Sequence, residues 1–295
     1  MNRTEGSLPE SSEILQWHPA FYAGLQIELQ DEADKLIFDD EYQLSTKPME
    51  IDVLIIKKDT KEKIHKNIGR IFRTYNIIEY KSPTDYLSLD DFYKVMAYAY
   101  FYKADTGKVG EIPIGEITLT FVCKNYPQTL ISHLQKEWGC HAEQIESGIY
   151  YVTGGKLMVP VQILLNHKLS KEENLWLHSL TNSLDNVITI QDLLSDYENH
   201  QENTLYQSML EIIVKSNKEK FEEVTHMCTC NALLEIMKDD LDARERQGEE
   251  RGEKKGETRI NELNRKLIAL DRLGDLIKSA SDPIFQKELF KEFNL

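Results

Sequence analysis

The chain has 295 residues, of which 41% are hydrophobic and 29% are charged, a composition typical of about two globular domains and incompatible with wholesale disorder. No apolar run reaches the length of a membrane span, no signal-peptide pattern opens the chain, and four cysteines do not make a disulfide framework, so we expect a cytoplasmic protein. The net charge of −15 argues against nonspecific coating of nucleic acid, although it does not exclude a local basic patch.

The apolar periodicity predicts alternating strands and helices in the first half of the chain. A helix is predicted over 19–30, three strands over 36–44, 49–57 and 74–81, and a helix over 88–103 with Ser88 as N-cap and Asp91 at the capping-box position. Strands at 116–123 and within 148–165 enclose a further helix over 127–138. This alternation predicts an α/β fold with a mixed central sheet flanked by helices.

From Ser170 onward the pattern is helical, over 170–182, 187–199, 202–215 and 217–243. We therefore predict three parts: an α/β domain over 14–168, a helical module over 169–243 and a charged C-terminal segment over 244–295. In that segment glycine recurs every fourth residue from 248 to 256, and a short heptad seam runs from 260 to 277. The seam suits a homo-oligomer formed through the C-terminal helices, or docking onto the same chain.

Two acidic residues interrupt strands that are otherwise apolar. Asp52 lies within Ile51–Ile56, and Glu79 follows Ile77 and Ile78 on the next predicted strand. An unpaired buried carboxylate is costly, so each needs a cation. Because strand side chains alternate, Glu79 and Lys81 share a face, and pairing of the two strands would bring Asp52 to the same point.

Two carboxylates and a backbone carbonyl form an oxygen-rich site suited to Mg²⁺, and a neighbouring lysine can position water and stabilise charge at phosphorus. The alternative is a structural ion pair between Asp52 and Lys81. His226, Cys228 and Cys230 have no second pair at zinc-finger spacing, so we interpret these cysteines as buried thiols.

The arrangement of an Asp, 26 intervening residues and then Glu-x-Lys resembles the PD-(D/E)XK nuclease superfamily. The stretches KPMEIDVLII, NIIEYKSPTDYLSLDDFYKVMAYAYFYK and EIMKDDLDARERQGEERGEKKGE are similar to its recombination-promoting, transposase-associated branch, which is common in bacteria. The resemblance covers roughly residues 14–260, although its functional motifs cover only Asp52 and Glu79 to Lys81. Ile51 stands where the family name has proline.

This resemblance implies a restriction-endonuclease-like fold and metal-dependent hydrolysis of DNA. Asp52, Glu79 and the backbone carbonyl of Tyr80 would be ligands of Mg²⁺, with Mn²⁺ as substitute, and Lys81 would be the catalytic lysine. Glu28 matches an accessory acidic position, for which a solvated helix face is the favoured alternative. No strict glutamine motif is present on the following helix, where Lys94 and Tyr98 are the nearest equivalents.

DNA contacts are predicted for the basic stretch that begins at residue 57. Residues 57–81 carry eight Lys or Arg against three Asp or Glu, a local charge of +5. The DNA-binding candidates are Lys57, Lys58, Lys61, Lys63 and Lys66. A solvated loop is the alternative for this stretch. For the whole chain, the alternative to a nuclease is a catalytically degenerate nuclease fold that serves as a DNA-binding or assembly module.

Overall fold

A computed structural model describes residues 15–43, 50–59, 61–184, 186–225 and 256–295, together with residues 246 and 254. Two compact units are distinguished: one contains the described residues up to 225, and the other those from 246 onward. The predicted turn over 45–48, most of the predicted helix over 217–243, the His226–Cys230 segment and most of the glycine tract lie outside the described residues.

The first unit is built around a mixed sheet of seven strands, ordered β1-β2-β3-β4-β7-β6-β5. The strands are β1 (Leu36–Gln43), β2 (Glu50–Lys57), β3 (Tyr75–Tyr80), β4 (Ile117–Cys123), β5 (His141–Glu146), β6 (Ile149–Thr153) and β7 (Val161–Leu165). The central pairs β3–β4 and β4–β7 are parallel, and the other neighbouring pairs are antiparallel. Every residue of β4 and β7 is buried, as expected for parallel strands covered on both faces.

Seven helices are described in this unit: α1 (Trp17–Glu28), α2 (Leu89–Ala104), α3 (Gln128–Trp138), α4 (Lys171–Ser179), α5 (Val187–Glu198), α6 (Thr204–Ser216) and α7 (Lys218–Thr225). Helices α2 and α3 pack on one face of the sheet. On the other face Phe21 of α1 stacks on Tyr80 of β3 at 4.3 Å between ring centroids. Helices α4 and α6 pack on α1. The predicted α/β fold with a mixed sheet and C-terminal helices is confirmed.

Strand β5 was absent from the predicted elements. It is an edge strand with mostly exposed side chains in the sequence HAEQIE, so no buried alternate face marks it. The predicted strand region 148–165 is two strands, β6 and β7, separated by a loop that contains Gly154 and Gly155, both with positive φ. The turn at Gly154 and Gly155 between these two antiparallel strands was predicted, so of these two regions only β5 differs from the prediction.

Three helices are described over residues 256–295 of the second unit: α8 over 256–269, α9 (Leu273–Ser281) and α10 (Pro283–Glu292). The predicted heptad seam is interrupted after α8, where Asp271 adopts a positive φ of 55°. Leu263 and Leu267 of α8 are buried with Leu289 of α10, so this part of the seam packs within its own unit. Among the described helices of the whole chain, none is both long and apolar enough to cross a membrane.

Candidate functional site

Asp52 and Glu79 meet at one end of the antiparallel pair β2–β3. Val53 pairs with Ile78, and continuing this register by one residue places Asp52 opposite Glu79. The Oδ2 atom of Asp52 accepts a hydrogen bond from the backbone N–H of Tyr80 at 2.9 Å. The Asp52 carboxylate therefore occupies the position at which the ladder of backbone hydrogen bonds between these two strands ends.

Lys81 joins this pair of carboxylates through Glu79. Its Nζ atom lies 3.1 Å from Glu79 Oε1 and 2.8 Å from Asp91 Oδ1. Glu79 is 4% exposed, so its charge is buried, whereas the side chain of Lys81 remains 16% exposed. The predicted shared face of Glu79 and Lys81 is thus observed, and a third carboxylate, that of Asp91, adds to the cluster.

Asp91 was predicted only as a capping residue, and the structure gives it a second contact. Its Oδ2 atom accepts hydrogen bonds from the N–H and the hydroxyl of Ser88 at 2.9 and 2.6 Å, which completes the capping box of α2. Its other oxygen accepts from Lys81. Helix α2 therefore positions the lysine ammonium, and an acidic residue in the first helical turn after a Glu-x-Lys strand is the sequence feature that could have identified this contact.

The two accessory candidates on α2 lie close to the cluster but differ in exposure. Lys94 Nζ lies 3.5 Å from Glu79 Oε1 and 5.5 Å from the centre of the Tyr98 ring. Tyr98 is buried in the core between α2 and the sheet, whereas Lys94 is exposed. Lys94 can therefore contact a ligand, while its ammonium lies near the ring of the buried Tyr98.

His18 was not predicted as a site residue. It lies in the first turn of α1, with Nε2 3.7 Å from Asp52 Oδ2 and its ring edge-on to Tyr80. A cavity of about 220 Å³ opens beside these residues, with Asp40 and Glu50 also in its lining. A lone histidine at a helix start carries no sequence pattern, so only the packing of α1 on β3 identifies it.

The electrostatics of the site favour an added cation. Burial and the nearby charge of Glu79 raise the pKa of Asp52 to about 6, against the opposing effects of the Tyr80 N–H, His18 and Lys81. Burial alone would lower the pKa of Lys81, but its hydrogen bond to Asp91 and the charge of Glu79 outweigh burial and raise it. Lys81 therefore stays charged at neutral pH, and Asp52 keeps an electrostatic penalty that this lysine does not remove.

Two carboxylates and one backbone carbonyl are the oxygen donors at this end of β2 and β3. Lys81 N–H donates to Val122 on β4, whereas Tyr80 N–H donates to Asp52 on the β2 side. The N–H and C=O of one strand residue leave the backbone on the same side, so the Tyr80 carbonyl is directed towards Asp52. Mg²⁺ is commonly held by one or two carboxylates and several waters. Within the described ranges, no group of three or more His, Cys, Asp or Glu side chains is arranged to hold a metal ion.

Glu28 lies apart from this cluster, and its contacts join the end of α1 to α4. It ends α1, about 15 Å along the helix from His18. It accepts hydrogen bonds from the backbone N–H groups of Trp176 and Leu177 and pairs with Lys66 at 2.9 Å. Burial raises its pKa although these partners favour the charged form. The solvated helix face favoured for Glu28 was therefore wrong, because this side chain is buried.

The start of the basic stretch, which carries the five candidate DNA-binding lysines, lies at and after the end of β2 opposite to Asp52. Lys57 is five residues beyond Asp52, which is about 17 Å along the strand, and it is buried. Lys66 is held by Glu28 and by the carbonyl of Glu173. The remaining candidates, Lys58, Lys61 and Lys63, are exposed. Three of the five predicted DNA-binding lysines are thus available at the surface.

No protein-family model, no curated protein and no solved structure matches this chain. The chemistry of the site is therefore inferred from the arrangement of its own residues.

Proposed function

We propose that the protein is a metal-dependent DNA phosphodiester hydrolase of the PD-(D/E)XK type, with Mg²⁺ as its cofactor and Mn²⁺ as a substitute. The observation that supports this proposal is the convergence of Asp52, Glu79 and Lys81 at one end of β2 and β3. The mixed sheet flanked by helices agrees with the architecture that the sequence resemblance implies. A buried and a partly buried carboxylate beside a charged lysine are also a common setting for catalysis.

In this proposal Asp52, Glu79 and the carbonyl of Tyr80 would hold the ion. A magnesium ion bound there would supply a Lewis acid for the scissile phosphate. Lys81 orients the attacking water and stabilises negative charge that develops at phosphorus. Asp91 keeps the ammonium of Lys81 in position from α2, at 2.8 Å.

Contacts with the DNA backbone are proposed for exposed lysines at two places. Lys94 lies at the site and is open to a phosphate group near the scissile bond. Lys58, Lys61 and Lys63 lie at the far end of β2, and they can contact the backbone several nucleotides from that bond. In a chain of net charge −15, such local cations counter the general repulsion of DNA.

Cleavage of DNA by the purified protein tests this proposal. We expect nicking of duplex or single-stranded DNA with Mg²⁺ or Mn²⁺, and no nicking in EDTA. The variant Lys81→Ala should lose on the order of 10²–10³-fold in rate. Lys136→Ala, which removes an exposed lysine on α3, is the matched control and should cleave as the wild type does. Equal rates for Lys81→Ala and the wild type would reject this site.

One observation favours the rival function, a degenerate nuclease fold that binds DNA or assembles without cleaving. Lys81 is already paired with both Glu79 and Asp91, as in a structural ion-pair network. That rival predicts DNA binding that is independent of divalent metal and no nicking under any condition. The same cleavage assay therefore separates the two proposals.

A further inference from the structure

Helix α2 exposes an aromatic stripe, which we define as Tyr93, Tyr100 and Phe101. Their exposed fractions are 42%, 40% and 36%. Tyr100, seven positions on, lies almost in line with Tyr93, and Phe101 lies towards the edge of the same exposed side of the helix. The opposite side of α2 packs into the core through other residues, among them Val95 and Ala99.

The aromatic stripe begins one residue before Lys94, which contacts the candidate site. Lys94 follows Tyr93 directly, and its ammonium lies 3.5 Å from the buried carboxylate of Glu79 while its side chain is 48% exposed. Tyr93 is fixed by a 3.0 Å hydrogen bond to His133 of α3 and by edge contact with Trp138. A ligand that lies along this face would therefore pass from the rings to a cation and then to the site.

The spacing of the stripe matches stacked bases. Tyr93 and Tyr100 are seven residues apart, so their backbone positions are separated by about 10.5 Å along the helix axis. Three steps of about 3.4 Å, the rise per base in one strand, span nearly the same distance and leave room for two bases between the rings. The position between them on this face is Ala97, which is exposed and small.

We propose that the aromatic stripe stacks on the bases of single-stranded DNA that leads into the Asp52–Glu79 site, so that the substrate contains an unpaired strand. The identity of this ligand rests on the proposed function. Base faces are accessible only in an unpaired strand, and stacking on aromatic side chains binds such strands with little dependence on sequence. Lys94 supplies the positive charge that a phosphate needs at the entrance to the site.

Fluorescence anisotropy in EDTA tests the stripe without requiring cleavage. The full-length protein would be titrated against a labelled thymidine oligomer of about 15 nucleotides and against an abasic oligomer of equal length and charge. The double variant Tyr100→Leu/Phe101→Leu should bind the thymidine oligomer on the order of tenfold more weakly or worse. The matched double variant Tyr100→Phe/Phe101→Tyr keeps both rings and should bind like the wild type.

Two results would contradict the proposal that the aromatic stripe binds single-stranded DNA. One is equal affinity of the leucine variant and the wild type for the thymidine oligomer, and the other is equal affinity of the wild type for the thymidine and abasic oligomers. Sedimentation of both proteins adds a third: a wild-type dimer that the leucine variant breaks, with DNA affinity unchanged, would make this face a contact between copies. If the leucine variant binds the thymidine oligomer more weakly but the wild type does not cleave DNA with metal, the stacking proposal is supported and only the proposed nuclease activity is rejected.

Discussion

At Asp52, burial and the charge of Glu79 act in the same direction and raise the carboxyl pKa to about 6. A carboxyl whose folded pKa lies above its unfolded value binds more protons in the folded state. The contribution of Asp52 to the free energy of unfolding of the metal-free protein should therefore fall as the pH rises from about 4 to about 6, and the loss should persist at neutral pH.

The substitution Asp52→Asn removes this charge at nearly constant volume and keeps an oxygen that can accept from Tyr80 N–H. In EDTA at neutral pH the variant should be more stable than the wild type by about 1–3 kcal/mol, since one pKa unit corresponds to about 1.4 kcal/mol. Near pH 4 the difference should vanish. Urea unfolding at both pH values measures it. A variant that is less stable at neutral pH would show that Asp52 forms a favourable structural ion pair.

Asp91 combines a helix cap with a contact to Lys81, and two variants separate these contributions. Asp91→Asn keeps a cap acceptor but removes the charge that holds the ammonium, so kcat should fall on the order of tenfold with little change in stability. Ser88→Ala removes the cap hydroxyl and should cost about 1 kcal/mol of unfolding free energy with kcat nearly unchanged. Chemical denaturation and cleavage rates would be measured for both. An unchanged kcat in Asp91→Asn would make Asp91 a capping residue alone.

At the scale of elements, Glu28 anchors α4 to the end of α1. Glu28→Ala leaves two buried N–H groups and Lys66 without this partner, so it should cost about 2–4 kcal/mol of unfolding free energy. Cleavage per folded molecule should not change, because the Asp52 site lies near the other end of α1. Glu219→Ala on α7, an exposed glutamate, is the control and should stay within about 0.5 kcal/mol of the wild type. Loss of cleavage without loss of stability would restore an accessory catalytic role.

The elements that sequence predicts well here are those whose burial is periodic. The strand around Asp52, the Glu79–Lys81 face and the cap at Ser88 depend on neighbours within a few residues, and each is observed. The exposed edge strand β5 has no such pattern. The pairing of Glu28 with Lys66 and the contact of His18 with Asp52 join distant parts of the chain, so only tertiary packing defines them.

At the scale of the whole molecule, the second unit exposes large aliphatic side chains. Ile268, Leu273, Ile277 and Ile284 are each more than half exposed, although Leu263 and Leu267 are buried. Exposed aliphatic residues in a small helical unit favour association with a partner, and we propose a second copy of this chain.

Truncation after residue 242 tests this association. We expect the shortened protein to keep its first unit folded and to cleave DNA at the wild-type rate, because the site residues all lie in that unit. Light scattering should show that the full-length protein is an oligomer and that the truncated one is a monomer. A particle mass that falls only by the deleted residues would contradict association through this segment.

The central claim is that Asp52 and Glu79 together bind one divalent ion while Lys81 acts on the water and the phosphate. Calorimetric titration of Mn²⁺ into the wild type and the variants Asp52→Asn, Glu79→Gln and Lys81→Ala tests it most directly. We predict one binding site in the wild type, its loss in both carboxylate variants and its retention in Lys81→Ala, which binds the ion but does not cleave DNA. Undiminished Mn²⁺ binding by Asp52→Asn or Glu79→Gln, or its absence in the wild type, would contradict this claim.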